Sequence, residues 1–190
     1  MEIIKTEDLF TVEERYITEE GKKKKGFLKI KRLFLRNKGK DFTRDKVVSP
    51  DAVCAVVYDE VEHKYIFAKQ YRPGPQKDVI ELAAGLIDHK GISPMDTMIA
   101  EVEQELGYKV DHIIPICTPF FTTPGKTNEK MYLFYVTVSE QISKGGGLET
   151  ENEDIEVIKV YEKDIEKLGI EDGKTLVGLY RMNLLKHELL

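Results

Sequence analysis

Apolar positions along this chain change their period several times, and each change marks a predicted element. Partial alternation over residues 9–17, and again through Phe27, Leu28, Ile30, Leu33, Phe34 and Leu35, predicts strands of a hairpin joined across the polar stretch EEGKKKKG. Residues 37–51 are polar and end in Ser49-Pro50-Asp51, a boundary signal. At Ala52 the texture changes. AVCAVVY is a continuous apolar run, expected of a strand covered on both faces. KYIFAKQY predicts a second strand that stops at Arg72-Pro73-Gly74-Pro75, and DVIELAAGLI predicts a third. Further strands are predicted at 113–116, at 131–138 and in IEVIKVY. An amphipathic tail helix over 175–190 carries Leu176, Leu179, Tyr180, Leu184 and Leu185. The pattern predicts an α+β protein: a small N-terminal β domain over 1–48, then a main domain over 49–190 with a mixed sheet between helices.

The strongest helix signal lies between Ser93 and Gly107. Ser93 can cap it, Pro94 takes the first helical position, Asp96 completes a Ser-x-x-Asp capping box, and Gly107 supplies the stop. Met95, Met98, Ile99, Val102 and Leu106 form one apolar stripe, with Glu101, Gln104 and Glu105 opposite. Carboxylates at i and i+4 repel, by a few tenths of a kcal/mol on an ordinary helix. A hard divalent cation between them converts that cost into affinity. The competing reading is the solvated face of an amphipathic helix.

The 190 residues suffice for one good-sized core, and 41% hydrophobic with 33% charged residues is ordinary for a globular protein. A net charge of −5 argues against a general affinity for nucleic acid or anionic membranes, and the apolar runs fall well short of a membrane span. Cys54 and Cys117 lie in apolar runs without a CxxC partner, and MEIIKTEDLF lacks the regions of a signal peptide; both favour a cytoplasmic protein. Lys22 to Lys25, beside Glu19 and Glu20, read as a solvated turn. The four histidines show no ligand spacing.

Four features then line up: Gly85 at a strand end, Glu101 and Glu105 on one helix, the Thr122-Thr123-Pro124-Gly125 turn with Glu129 after it, and a glycine-rich loop carrying Glu149, Glu151, Glu153 and Asp154. Here the chain resembles the Nudix hydrolases, whose signature ends as Ala100-Glu101-Val102-Glu103-Gln104-Glu105-Leu106-Gly107-Tyr108 does. Lys69-Gln70-Tyr71-Arg72-Pro73, Glu81-Leu82-Ala83-Ala84-Gly85, Pro124 and Glu151-Asn152-Glu153-Asp154-Ile155 resemble the ADP-ribose pyrophosphatase branch. Three box positions depart: Ile92 for the first glutamate, Ala100 for the arginine and Gln104 for a further glutamate. Loss of both members of an ion pair is a tolerable structural exchange, whereas Gln104 offers a cation an oxygen without charge.

The resemblance implies a Nudix α/β/α sandwich and hydrolysis of a nucleoside diphosphate sugar with Mg²⁺, Mn²⁺ being the alternative ion. It makes Glu101, Glu105, Glu153 and the Ala84 carbonyl the metal ligands. Glu101 and Glu105 also enter the catalytic set, as does Glu153, whose competitor for the water-activating role is Glu151. Arg72 is implied for the diphosphate, a turn arginine being the plain alternative; Glu129 for the distal ribose; and Pro124 for the substrate rim. Phe10 and Phe27 are the nearest candidates to stack on the base, with core packing as their alternative. The 145–147 glycines would let the acidic loop close over substrate. The branch further implies a homodimer built through the N-terminal domain. A second reading is a nucleotide-sugar sensor that kept the pocket while its box decayed.

Overall fold

The computed structural model describes residues 1–11, 29–88, 91–147 and 154–188, with side chains left out at Phe10, Thr11, Leu184 and 186–188. Phe27, Glu149, Glu151, Glu153 and the lysine turn therefore lie outside the described residues. The strands are β1 (Glu2–Thr11), β2 (Lys29–Asn37), β3 (Lys40–Val48), β4 (Ala52–Asp59), β5 (Lys64–Arg72), β6 (Lys77–Glu81), β7 (Ala83–Leu86), β8 (Tyr108–Pro115), β9 (Phe120–Phe121), β10 (Lys130–Gln141) and β11 (Glu156–Val160). The α-helices are α1 (Pro94–Glu101) and α2 (Gly173–Glu188). Two compact units result: Met1–Asp51 with Phe121–Lys130, and Ala52–Phe120 with Met131–Leu190.

The first unit is an antiparallel sheet ordered β1-β2-β3. The sequence pattern misses β3, reading 37–51 as a polar boundary. Its strand is polar because its register is fixed by charge: Arg32 pairs with Asp45 at 2.7 Å and Arg36 with Asp41 at 2.7 Å, directly across from each other. The turn carries positive φ at both Lys38 (49°) and Gly39 (74°), as a two-residue hairpin requires. Residues 121–130 join this unit through a Val47 N–H to Lys126 carbonyl bond of 2.8 Å and an Asn128 Nδ2 to Ser49 carbonyl bond of 2.8 Å.

The second unit is built on a mixed sheet whose main path is β11-β5-β4-β10-β8, with β6 paired to β5 and β7 to β4 off that path. The β4–β10 pair is parallel and its neighbours are antiparallel. The unbroken apolar run of β4 is covered on both faces, as expected. Val53, Ala55 and Val57 pack in one cluster with Met98, Val102 and Leu106 of the helix after β7. Cys54 and Val56 pack in the other with Leu179, Met182 and Leu185 of α2. This is an α/β/α arrangement with the sheet as its central layer. Burial pushes the Cys54 thiol up to about 12, which leaves it protonated and inert.

Two breaks depart from the pattern. DVIELAAGLI is one run in sequence but two strands, β6 on β5 and β7 on β4, parted at Leu82. The helix begun by Pro94 is α only to Glu101 and continues as a π segment over Val102–Leu106, closed by a Gly107 N–H to Val102 carbonyl bond of 3.1 Å. Met95, placed on the apolar stripe by spacing, is exposed.

Thr175, fully buried, ties α2 to the Leu82 break. Its hydroxyl accepts the Leu82 N–H at 2.9 Å and donates to Asp172 Oδ2 at 2.6 Å, while Asp172 caps α2 through the Thr175 N–H at 2.9 Å. Thr175→Val should therefore lower stability by about 1–3 kcal/mol, the cost of a buried amide left unpaired. A urea midpoint that falls at constant slope is the expected observation; an unmoved midpoint contradicts the bridge.

Candidate active site

The Ser93 cap forms as the sequence predicts: its hydroxyl accepts the Asp96 N–H at 3.1 Å and lies 2.7 Å from the Asp96 carboxylate, to which it donates. From that fixed start the helix delivers Glu101 in its last α turn and Glu105 in the π segment. A π turn winds fewer degrees per residue than an α turn, which brings side chains four apart closer to one line along the helix. Glu105 is not on a solvated face. It is only 3% exposed, and its Oε2 accepts the Ala84 N–H of β7 at 3.0 Å. Glu101 lies against the same strand: a Cβ on Gly85 would sit 1.9 Å from its Oε1. Only glycine admits the carboxylate at that distance. Ala84, Gly85, Glu101 and Glu105 thus form one constellation between strand end and helix.

The far end of the helix is held by the glycine-rich loop. Gly146 N–H donates to the Glu105 carbonyl at 2.9 Å, Gly147 N–H to the Gln104 carbonyl at 3.2 Å, and Ile142 N–H to the Gly107 carbonyl at 2.8 Å. Ile155 N–H in turn reaches the Gly146 carbonyl at 3.3 Å. Gly146 and Gly147 are therefore pinned to the C-terminal end of the box helix, and Ile155 to Gly146. Gly145, at φ 67°, would carry a Cβ 2.4 Å from the Glu105 carbonyl oxygen. Close packing and a left-handed φ both require glycine at this position.

Arg72 ends β5 and donates from Nε to Glu81 Oε1 at 2.6 Å. Glu81 is 2% exposed and also receives the Lys174 ammonium from the first turn of α2. The three side chains line a cavity of about 360 Å³ together with Asp172 and Gly173 at the α2 N-terminus. Sequence reasoning singled out Arg72 but not Glu81, Lys174 or Asp172. The Asp172-x-x-Thr175 spacing was a legible cap signal. The partnership of Glu81 with Lys174, 93 positions apart, had no local signal.

Other candidates stand elsewhere. Glu129 and Pro124 belong to the first unit, where the Glu129 carboxylate accepts from Ser49 Oγ at 3.2 Å and Thr122 Oγ1 at 3.1 Å. Phe10 is placed only by its backbone in β1. Gln104 is exposed, Ile92 is 44% exposed and Ala100 is half-buried, so an apolar pair does not replace the box ion pair by burial.

Among the described residues, no cluster of three or more His, Cys, Asp or Glu is gathered for a metal. The donors present are two carboxylates beside a strand backbone, all oxygen. That set suits Mg²⁺, which takes one or two carboxylates and fills its remaining positions with water and substrate phosphate. It does not suit zinc, which selects nitrogen and sulfur ligands.

The NUDIX domain model matches residues 48–176, and the chain belongs to the Nudix family. It is 30% identical over 150 residues to an ADP-ribose pyrophosphatase of Bacillus subtilis (strain 168), spanning 77% of this chain and 79% of that one. It is 29% identical over 157 residues to a methanol dehydrogenase activator of Bacillus methanolicus, spanning 79% and 83%. The crystal structure of an ADP compounds hydrolase superposes with a TM-score of 0.73 at 14% identity, covering 98% of this chain and 95% of that one, which shows the shared fold.

Gly145→Ala and Gly39→Ala both force alanine to positive φ, but Gly39 has nothing within 4 Å of the added methyl. Gly39→Ala should cost about 1–2 kcal/mol of left-handed backbone strain. Gly145→Ala should cost measurably more, because the Glu105 carbonyl must also move. Chemical denaturation of the two variants side by side checks this; equal losses would contradict the close approach.

Proposed function

We propose that this protein hydrolyses the diphosphate bond of ADP-ribose or a closely related nucleoside diphosphate sugar, with Mg²⁺. The observation that carries the reading is the buried Glu105 carboxylate clasped by the Ala84 amide, with Glu101 pressed against Gly85. The similarity to the Bacillus subtilis pyrophosphatase supports the substrate class.

In this reading Glu101, Glu105 and the Ala84 carbonyl hold the cation. When bound, Mg²⁺ neutralises the diphosphate oxygens and orients the reacting phosphorus. Arg72 binds the diphosphate through its guanidinium fork. Glu153, or Glu151 in its place, accepts a proton from the attacking water. With ADP-ribose the water oxygen adds to one phosphorus as the bridging P–O bond breaks, giving AMP and ribose 5-phosphate. Glu129, Pro124, Phe10 and Phe27 are assigned to the substrate's outer portions, on the resemblance alone. A cytoplasmic homodimer completes the proposal; the exposed Ile3, Ile4 and Leu9 of β1 support an assembly that covers them.

Two observations favour a sensor instead: Gln104 leaves the box short of a charge, and one relative is a methanol dehydrogenase activator. Product release from ADP-ribose, ADP-glucose, GDP-mannose and UDP-glucose, with Mg²⁺ and with Mn²⁺, separates the two. Hydrolysis is expected, abolished by Glu105→Gln and by one of Glu153→Gln and Glu151→Gln. Gly85→Ala should lower kcat by about 100-fold by displacing Glu101, in line with the cost of a 1 Å misplacement. Tight ADP-ribose binding without turnover would overturn hydrolysis in favour of the sensor.

A further inference from the structure

Glu81 presents an imbalance that Arg72 alone does not resolve. It is a 2% exposed carboxylate at the end of β6, so its charge must be compensated within the protein. Its two oxygens are shared out, Oε1 to Arg72 Nε and Oε2 to Lys174 Nζ. A guanidinium beside a lone carboxylate ordinarily forks onto both of its oxygens. Here Lys174 occupies the second oxygen, and the Glu81 bond uses Nε, one of the five N–H donors of the guanidinium.

Lys174 is itself rigidly placed. It is the second residue of α2, its side chain is 12% exposed, and it contacts the capping Asp172 at 3.1 Å. The adjacent Thr175 bonds the Leu82 amide, the residue after Glu81. Arg72, in contrast, is 40% exposed and faces the cavity that both cations line.

We propose that Lys174 is a positioning residue for substrate binding: by neutralising the second oxygen of Glu81, it keeps Arg72 from collapsing into a forked pair and leaves its charge and outer donors for the anionic ligand. Lys174, with its ammonium held by Glu81 and Asp172, acts through Glu81. This rests on the reading of Arg72 as the diphosphate-binding residue. Without Lys174, Glu81 keeps a single cationic partner and claims both edges of Arg72. Removing Glu81 together with Lys174 deletes the competitor and frees Arg72 again.

The test compares wild type, K174M, K174R and the double variant E81Q/K174M in two readouts. In the first, the rate of phenylglyoxal modification at Arg72 is followed by peptide mass spectrometry without substrate. K174M should slow it several-fold, and E81Q/K174M should restore it. In the second, K174M should raise KM for ADP-ribose about tenfold, the loss of one charge-assisted hydrogen bond, with kcat within about twofold of wild type. K174R, which keeps the charge, should fall closer to wild type than K174M does.

Wild-type Arg72 reactivity in K174M, or a double variant no better than K174M in either readout, overturns the proposal. If K174M does not fold, E81Q/K174M decides: Arg72 reactivity at or above wild type supports the competition, and lower reactivity overturns it. A wild-type protein that turns over no nucleotide sugar, yet shows the modification pattern, refutes the functional reading and leaves the Lys174 role standing.

Discussion

A carboxylate removed from water must be given partners by the fold, and the placing of Glu105 against the Ala84 amide is the contact on which the site depends. That hydrogen bond fixes three things at once. It sets the helix against the end of β7, it orients one glutamate oxygen, and it brings Glu101 over Gly85, where no side chain could be admitted. The apolar stripe of Met98, Val102 and Leu106 supplies the packing that holds the helix there, and the loop glycines satisfy its last carbonyls. Binding chemistry and packing therefore belong to one element: its buried stripe anchors the helix, while its acidic side meets a strand backbone.

The second charged centre follows the same rule with different groups. Glu81 is as buried as Glu105 but is compensated by cations from two directions, Arg72 on β5 and Lys174 on α2. The Leu82 break between β6 and β7 makes room for this. Leu82 sends its N–H to Thr175 on α2, so Glu81 and Ala84, three residues apart, lie on different strands, the first bonded to Arg72 and Lys174 and the second to Glu105. A strand continuing unbroken from Lys77 to Leu86 would have kept both on one ladder.

Much of this was legible in the sequence where the signal is local. The Ser93 cap, the stop at Gly107, the doubly covered β4 run and the Glu101–Glu105 spacing all follow from residue type and period. What escaped is set by partners remote in sequence. β3 is held by Arg–Asp pairs that a hydrophobic pattern does not register, and the 37–51 stretch looked like a linker for that reason. The π segment ends where the loop after β10 hydrogen-bonds its last carbonyls, and Gly145 is required by a carbonyl forty positions earlier. Met95 shows the converse, a residue that the spacing puts on the apolar stripe but that the structure leaves exposed while Met98 is fully buried.

The most direct test is Mn²⁺ binding followed by electron paramagnetic resonance, in wild type and in Glu101→Gln and Glu105→Gln, with and without a non-hydrolysable ADP-ribose analogue. Bound Mn²⁺ in wild type, tightened by the analogue and weakened at least tenfold in either variant, is the predicted result, since each variant removes one of the two carboxylates proposed to hold the cation. Affinity unchanged in both variants would place the cation elsewhere and contradict the site built on Glu105 and Gly85.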